Sequence, residues 1–283
     1  MGWTESKERR KKVAHLVVFI LLSFGAILYL LPFYWMLRTS FMEYAQLSKL
    51  PMVWIPSPLQ PENFSRALSM MDFPTLLKNT LTITILSILG QVISCSLVAF
   101  GFSRLRFPGR EFLFFLVLST MMLPAMVTEI PRFILFQQLG WVDTFYPLVI
   151  PAWFGGSAFF IFLLRQFFRS VPIDLDEAAR IDGCGSFRIY STIIMPLSKP
   201  VLATVLIFSF IWSWNDFWGP LVYLRSAEKK TLALGLQVFQ GLYQTEYHHL
   251  MAASLVVLLP VLIIFIVAQR YFIKGIVMTG LKG

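Results

Sequence analysis

The strongest constraint in this sequence is an unbroken apolar run. From Val13 to Leu37, about 25 residues pass without one Asp, Glu, Lys or Arg. At roughly 1.5 Å of rise per residue, a helix of that length crosses a hydrocarbon layer about 30 Å thick. Five more apolar stretches follow: Leu76–Phe100, Phe112–Val127, Tyr146–Phe168, Val201–Leu224 and Leu250–Phe272. A soluble core has no room for this material. Hydrophobic residues make up 57% of the chain and charged residues 14%, where soluble domains carry about 25% charged residues. In lipid every backbone N–H and C=O must be satisfied within its own segment, so the runs must be helices. The expected fold is all-α and polytopic, with six transmembrane helices. The first run is too long for a secretory leader, and no small-x-small cleavage site follows it, so it is expected to stay as a span.

Four parts are expected along the chain: a tail over 1–12, a first span with its external connection over 13–75, a membrane core over 76–272, and a short tail over 273–283. The external connection contains Trp54-Ile55-Pro56-Ser57-Pro58, which reads as rigid and extended, and then Asn63–Met70, which reads as a short surface helix. Within the second run, Ser87, Gly90, Ser94 and Ser96 are small enough to let helices approach closely in lipid. Gln91 lies among them, and an amide at that depth marks a side facing protein or a pore. Pro124 falls inside the third run, where freed carbonyls must be lined by protein or water; Pro124–Glu129 reads either as a packing kink or as a border of the translocation path. Phe133–Phe145 reads as a re-entrant or surface helix. Gly155-Gly156-Ser157-Ala158 is a flat patch in the fourth run. Cys95 and Cys184 show no pairing or metal-ligand spacing.

The net charge of +9 is a statement about topology, not a nucleic-acid face. With six spans, one side of the membrane holds sixteen Lys and Arg, including Arg104, Arg106, Arg110, Arg165, Arg169, Arg180 and Arg188, and the other holds eight. The positive-inside rule places both termini, and the connection over 171–200, in the cytoplasm.

That connection is the longest polar stretch on the basic side. Asp174 with Glu177 three residues on has the spacing of a capping box, and a short helix from about Leu175 to Asp182 is expected. Gly183 and Gly185 suit a reversal through positive φ. Ser186 is placed to cap a second helix running to Ile194, and Pro196 and Pro200 are expected to stop it. The product is a helix-turn-helix elbow between two spans.

The pattern Glu177-Ala178-Ala179, three residues, Gly183, then Ile194-Met195-Pro196 resembles the EAA loop of ABC importer permeases. Leu197 follows the proline here, a small departure from the usual I-x-L-P. The resemblance implies that this loop couples to a separate ATP-hydrolysing subunit. Glu177 would shape the elbow or its interface, Ala178 and Ala179 would form the contact surface, Gly183 the turn, and Ile194 and Pro196 the closing segment. It covers nearly the whole chain. Trp214-Asn215-Asp216-Phe217-Trp218-Gly219-Pro220-Leu221 and the later Gly235-Leu236-Gln237 with Phe239-Gln240-Gly241 resemble the carbohydrate-type branch, in particular the second, six-span permease of maltose and glycerol-3-phosphate type systems. The implied partners are a second permease subunit in a heterodimer, two ATPase subunits that bind the ATP and magnesium, an extracytoplasmic solute-binding protein, and membrane lipid. No cofactor is implied for this chain, and no nucleic acid. The implied location is the inner (plasma) membrane.

Independently of the resemblance, aromatic faces beside amide and carboxylate groups suit sugars, because ring faces stack while hydroxyls take hydrogen bonds. Trp214, Asn215, Asp216 and Gln91 are therefore the candidate translocation-path residues. An aromatic belt with an interfacial aspartate accounts for the first three equally well. His248-His249 lacks a third ligand at metal spacing. The chain contains no G-x-x-x-x-G-K-[ST], H-E-x-x-H or G-x-S-x-G sequence, so energy must come from a partner or an ion gradient. An ion-coupled carrier calls for carboxylates near mid-membrane, and only Glu129 and Asp216 are on offer, both near the outer edge. A membrane enzyme calls for a convergent acid-base or metal set, and none is apparent. An ABC importer of a non-carbohydrate solute shares the elbow but looks less like the Trp214–Asp216 region.

Overall fold

The computed structural model describes the backbone of residues 2–241 and 244–280, and within these the side chains other than those of 2–10, 125 and 270–280. The tail motif Leu281-Lys282-Gly283 lies outside the described residues. The chain is all-α; among the described residues the single β contact is an isolated bridge between Gln240 and Thr245. Four helical segments are long and apolar enough to cross a membrane, over 11–40, 73–104, 146–170 (with a short interruption) and 247–269. Two bent pairs, 110–122 with 126–138 and 186–197 with 199–214, bring the number to six if each counts as one span.

By its contacts the chain divides into two compact units, 1–71 with 238–257 and 72–237 with 258–283. In the first unit, α1 (Gly2–Ser40) extends the apolar run into its polar flanks and continues through Pro32. Its last turn is closed by α2 (Glu62–Met70). There Asn63, 4% exposed, donates through Nδ2 to the carbonyls of Ser40 at 2.9 Å and Met42 at 2.8 Å. Helix ends leave carbonyls without donors, and a buried amide with two N–H groups supplies them. The neighbouring Phe64 packs on Phe41, with ring centroids 5.2 Å apart.

The second unit is built on α3 (Phe73–Arg104). It is followed by α4 (Arg110–Ser119) and α5 (Ala125–Gln138), by α6 (Tyr146–Trp153) and α7 (Ala158–Ser170), and by the elbow helices α8 (Asp174–Ile181) and α9 (Ser186–Ile189). Then come α10 (Lys199–Trp214) and α11 (Trp218–Tyr223), and finally α12 (Tyr247–Gly280), which begins in the first unit. The small polar residues of α3 face its neighbours. Ser94 Oγ donates to the Ala152 carbonyl at 2.7 Å and Ser87 Oγ to that of Leu148 at 3.1 Å. Ala152 lies in the last turn of α6, so its carbonyl has no helical donor and the serine fills the vacancy. Ser96 Oγ meets Tyr190 Oη at 2.8 Å. Between them Gly90 lets the Trp153 indole lie against the α3 backbone; a Cβ there would be 2.6 Å from Trp153 Cδ1. Cys95, Phe160, Leu164, Phe168, Ile194 and Val205, all fully buried, form the centre of the core.

Three expected runs are interrupted. The third breaks at Leu123–Pro124, and α5 covers 125–138 where a separate helix over 133–145 was expected. The fourth breaks at 154–157, where Gly155 takes φ +74° and Ser157 caps α7 by accepting from Phe160 N. The glycine patch is thus a chain break rather than a flat helical face. The fifth, expected to be continuous over Val201–Leu224, ends at Trp214 and restarts at Trp218.

Candidate functional site

In the elbow, α8 starts one residue earlier than expected. Its N-cap is Ile173, in helical conformation and without a side-chain cap. The expected Asp174–Glu177 capping box is therefore not formed. Asp174, Asp176 and Glu177 all sit in the first turn and Arg180 in the last, so the charges favour the helix through its dipole instead. The C-terminal end matches expectation. Gly183 has φ +77°, its N–H donates to the Arg180 carbonyl at 3.0 Å, and Cys184 N donates to that of Ala179 at 2.9 Å. These two bonds make a Schellman motif, with glycine at the left-handed position.

Gly185 does not share that role: it is extended at φ −74°, ψ 163°, and is itself the N-cap of α9, so Ser186 lies inside the helix. Beyond α9 the chain widens into a π turn over Tyr190–Ile194. Pro196 has no N–H for the Thr192 carbonyl and its ring presses on that position, which the wider turn relieves. Pro196 and Pro200 do not stop a helix, as was expected. The helical stretch runs on through Pro196 to Leu197 by way of that wider turn, and Pro200 lies in the first turn of α10, where a missing N–H is harmless. The segment 186–197 meets α10 at 80°.

The six expected coupling residues divide between two faces. Ala179 and Ile194 are buried in the core with Ile189 and Tyr190. Glu177, Ala178, Gly183 and Pro196 are exposed, and a Cβ at Gly183 would meet nothing within 4 Å. Leu175, Ile181 and Phe187 are exposed on the same elbow, the last two at 87% and 72%.

Trp214, Asn215 and Asp216 lie together where α10 gives way to α11. Trp214 is 2% exposed and stacks on Phe210, with centroids 5.1 Å apart. Asn215 Nδ2 donates to the Ile211 carbonyl at 2.8 Å, and Asp216 Oδ1 accepts from Gly219 N at 3.0 Å. The amide thus closes α10 and the carboxylate opens α11. Gln91 comes from α3, where its Oε1 accepts from Cys95 Sγ at 3.2 Å. Two indoles in this region are half-exposed, Trp212, stacked on Phe160 at 5.0 Å, and Trp218 at the start of α11. Glu129 accepts from Tyr223 Oη at 2.9 Å and pairs with Arg132 at 3.1 Å.

Sequence reasoning missed four polar anchors. Asp143, at φ +61°, accepts from Arg225 N, Ser226 N and Ser226 Oγ and pairs with Lys229. The Ser226 hydroxyl and the two backbone N–H groups hold its carboxyl well below the usual carboxylate range. From α3, Asn79 Nδ2 donates to the carbonyls of Glu228 and Lys230, so the 225–230 segment is fastened from two sides. The other anchors are Arg104 and Arg165, counted above only as topological charges. Their burial was signalled weakly, by their place at the ends of apolar runs.

A helical chain with six apolar segments, breaks lined by polar caps and a polar elbow of exposed apolar residues defines a multi-span membrane transport subunit. Residues 91–277 match the family described as binding-protein-dependent transport system inner membrane component, and the chain belongs to that family. It is the permease component of an ABC-type importer, a transport rather than a catalytic subunit. It is 37% identical over 265 residues to a putative ABC transporter permease protein, ORF2, of Caldicellulosiruptor sp. (strain Rt8B.4), covering 94% of this chain and 96% of the relative. It is 36% identical over 273 residues to the trehalose/maltose transport system permease protein MalG of Thermococcus litoralis, covering 93% and 97%. Among solved structures it is similar to a chain of a bacterial ABC transporter involved in import of the acidic polysaccharide alginate, with TM-score 0.82, 27% identity and coverage of 93% and 98%.

Proposed function

We propose that this permease imports a sugar or sugar derivative, and that residues 171–200 receive the force of ATP hydrolysis from a separate subunit. The observation that carries the coupling reading is the elbow's exposed apolar surface. Ile181 and Phe187 stand largely exposed on the same elbow as Glu177, Ala178 and Gly183, in a polar connection between apolar segments. Apolar side chains grouped on such a surface mark an interaction site. The sugar reading is supported by the relatives, whose names cite trehalose, maltose and alginate.

In this reading the chain pairs with a second permease, each permease meets an ATPase subunit that binds ATP and magnesium, and an external binding protein delivers the solute. The membrane core is 76–272, and the tails over 1–12 and 273–283 lie in the cytoplasm of a plasma-membrane protein. The excess of Lys and Arg on their side supports that orientation. Glu177, Ala178, Ala179, Gly183, Ile194 and Pro196 form the coupling segment: α8 presents the contact face, the Gly183 turn fixes its angle, and Ile189 and Ile194 root it in the core. Trp214, Asn215, Asp216 and Gln91 remain the candidates for the path, the first three through the α10–α11 break that they shape.

The test is copurification of the ATPase subunit with the permease pair, followed by uptake of maltose, trehalose or alginate oligomers into proteoliposomes. Ile181→Asp and Phe187→Asp should release the ATPase subunit. Retention of the subunit by both variants would refute the assignment of this face.

A further inference from the structure

The elbow helix α8 joins the membrane helices through a polar contact that is only half made. Arg104, the last residue of α3, is 8% exposed, and Asp176, in the first turn of α8, is 2% exposed. Arg104 Nη2 donates to the carbonyl of Val171, the C-cap residue of α7, at 2.7 Å. Its Nε stands 3.6 Å from Asp176 Oδ2, too far for a hydrogen bond. Both Arg104 Nε and Asp176 Oδ1 are buried without a hydrogen-bond partner.

The adjacent arginine shows what a finished joint looks like here. Arg165, on α7 and 3% exposed, grips both oxygens of Glu111 on α4, at 2.9 and 2.7 Å. Its Nε donates to the Phe102 carbonyl of α3 at 3.2 Å, and its guanidinium lies 3.9 Å from the centre of the Phe114 ring. Arg165 thus welds α3, α4 and α7 into one frame, while α8 is joined to that frame by the core packing of Ala179 and, in polar contacts, by Arg104.

A buried ion pair with unmet hydrogen bonds is a poor stabiliser, and an apolar pair would hold α8 at least as firmly. Burial pushes the Asp176 carboxyl up, while Arg104 and Arg180 pull it down and Glu177 adds to the rise, consistent with incomplete neutralisation. Such a contact makes sense where two arrangements alternate: a shift of about 1 Å by α8 toward α3 would turn the 3.6 Å approach into a charge-assisted hydrogen bond.

We infer that Arg104 and Asp176 form a latch that closes as α8 moves, and that Arg104 is the positioning residue passing that movement to α3. The inference rests on the reading of 171–200 as the segment driven by the ATPase subunit. Asp176→Asn keeps the size of the side chain and removes its charge. In the assembled transporter, it should leave ATPase association and hydrolysis in place while solute moved per ATP falls by about tenfold or more. Asp176→Glu, whose extra methylene spans the gap, should restore most of that ratio. A purely structural role would lower association, hydrolysis and uptake together and leave the ratio unchanged; that result, or a wild-type ratio in Asp176→Asn, overturns the latch. If Asp176→Asn does not assemble, Arg104→Lys, which keeps the charge and loses the reach to Val171, is read in the same way, and failure of both to assemble assigns the pair to folding and overturns it too. A wild-type permease that never retains an ATPase subunit would instead refute the coupling reading itself, and the latch with it.

Discussion

Gly183 offers the sharpest test of the elbow, because its backbone and side-chain roles separate cleanly. Its φ of +77° is one that an L-residue adopts at a cost of roughly 1–2 kcal/mol. The Schellman bonds from Gly183 N and Cys184 N hold the turn there, so an alanine must either accept the strain or give up those bonds. No steric charge is added, since a Cβ at this position meets no atom of this chain within 4 Å. Gly183→Ala should therefore lower the population of the native turn, and with it the affinity of the ATPase subunit, by roughly 5- to 30-fold. Gly183→Asn, which tolerates the left-handed region, should lose clearly less. Affinity would be measured on the permease pair in lipid nanodiscs, by titration with the purified ATPase subunit. If Gly183→Phe matches Gly183→Ala, the turn alone is at stake; a further tenfold or so beyond alanine places the partner's surface against this position. Wild-type affinity in the alanine variant, or an asparagine variant as weak as alanine, would refute the argument from backbone handedness.

Two other substitutions probe the frame. Gly90→Ala puts a Cβ 2.6 Å from Trp153 Cδ1 and 2.8 Å from its Nε1. The rigid indole must move, and a loss of about 1–3 kcal/mol should appear as a lower unfolding temperature in detergent; an unchanged value would mean that α6 slides away freely. Asp143, with its carboxyl depressed by Ser226 and Arg225, contributes stability that is fully present above the unfolded carboxylate range near pH 3.9. That contribution is lost only as pH falls through the lower folded value. Amide exchange over 225–230, corrected for its intrinsic pH dependence, should therefore stay flat in the wild type from about pH 8 to pH 5 and rise at all of these values in Asp143→Asn.

The spans were legible because hydrocarbon thickness imposes a length: α3 runs over 73–104 where the apolar run is 76–100, the excess being Phe73–Thr75 before the run and Gly101–Arg104 after it. The Gly183 turn was legible because few residues fit a left-handed helix end. The interior breaks were not. Apolar content stays high through Trp212–Leu224, so a window reads one span, yet Asn215 and Asp216 each satisfy a helix terminus and divide it. Prolines mislead for a related reason. A proline removes one N–H, which must be accommodated when it lies inside a helix and costs nothing in the first turn. Pro200 is of the second kind, at the start of α10, whereas Pro196 lies inside the helical stretch 186–197 and is accommodated by the π turn before it. A shift of one residue in the start of α8 turned Asp174 from a cap into a first-turn charge.

The arginines show a deeper limit. In a count of charges by side, Arg104, Arg106 and Arg165 are equivalent, each adding one positive charge to the same flank. Folded, they are not. Arg106 is exposed, whereas Arg104 and Arg165 bury their forks against carbonyls at helix ends, Val171 at the close of α7 and Phe102 in the last turn of α3. A helix that ends at the edge of the lipid leaves carbonyls where water is scarce, and a flanking arginine brings both the charge that fixes orientation and the donors that those carbonyls lack. Orientation needs only the charge, which lysine also has; closing two helices at once needs the planar fork. Composition therefore determines how many basic residues the flank must carry, while pairwise geometry, absent from any one-dimensional pattern, selects which of them bind the helices into a frame and which one leaves its bond to the elbow unfinished.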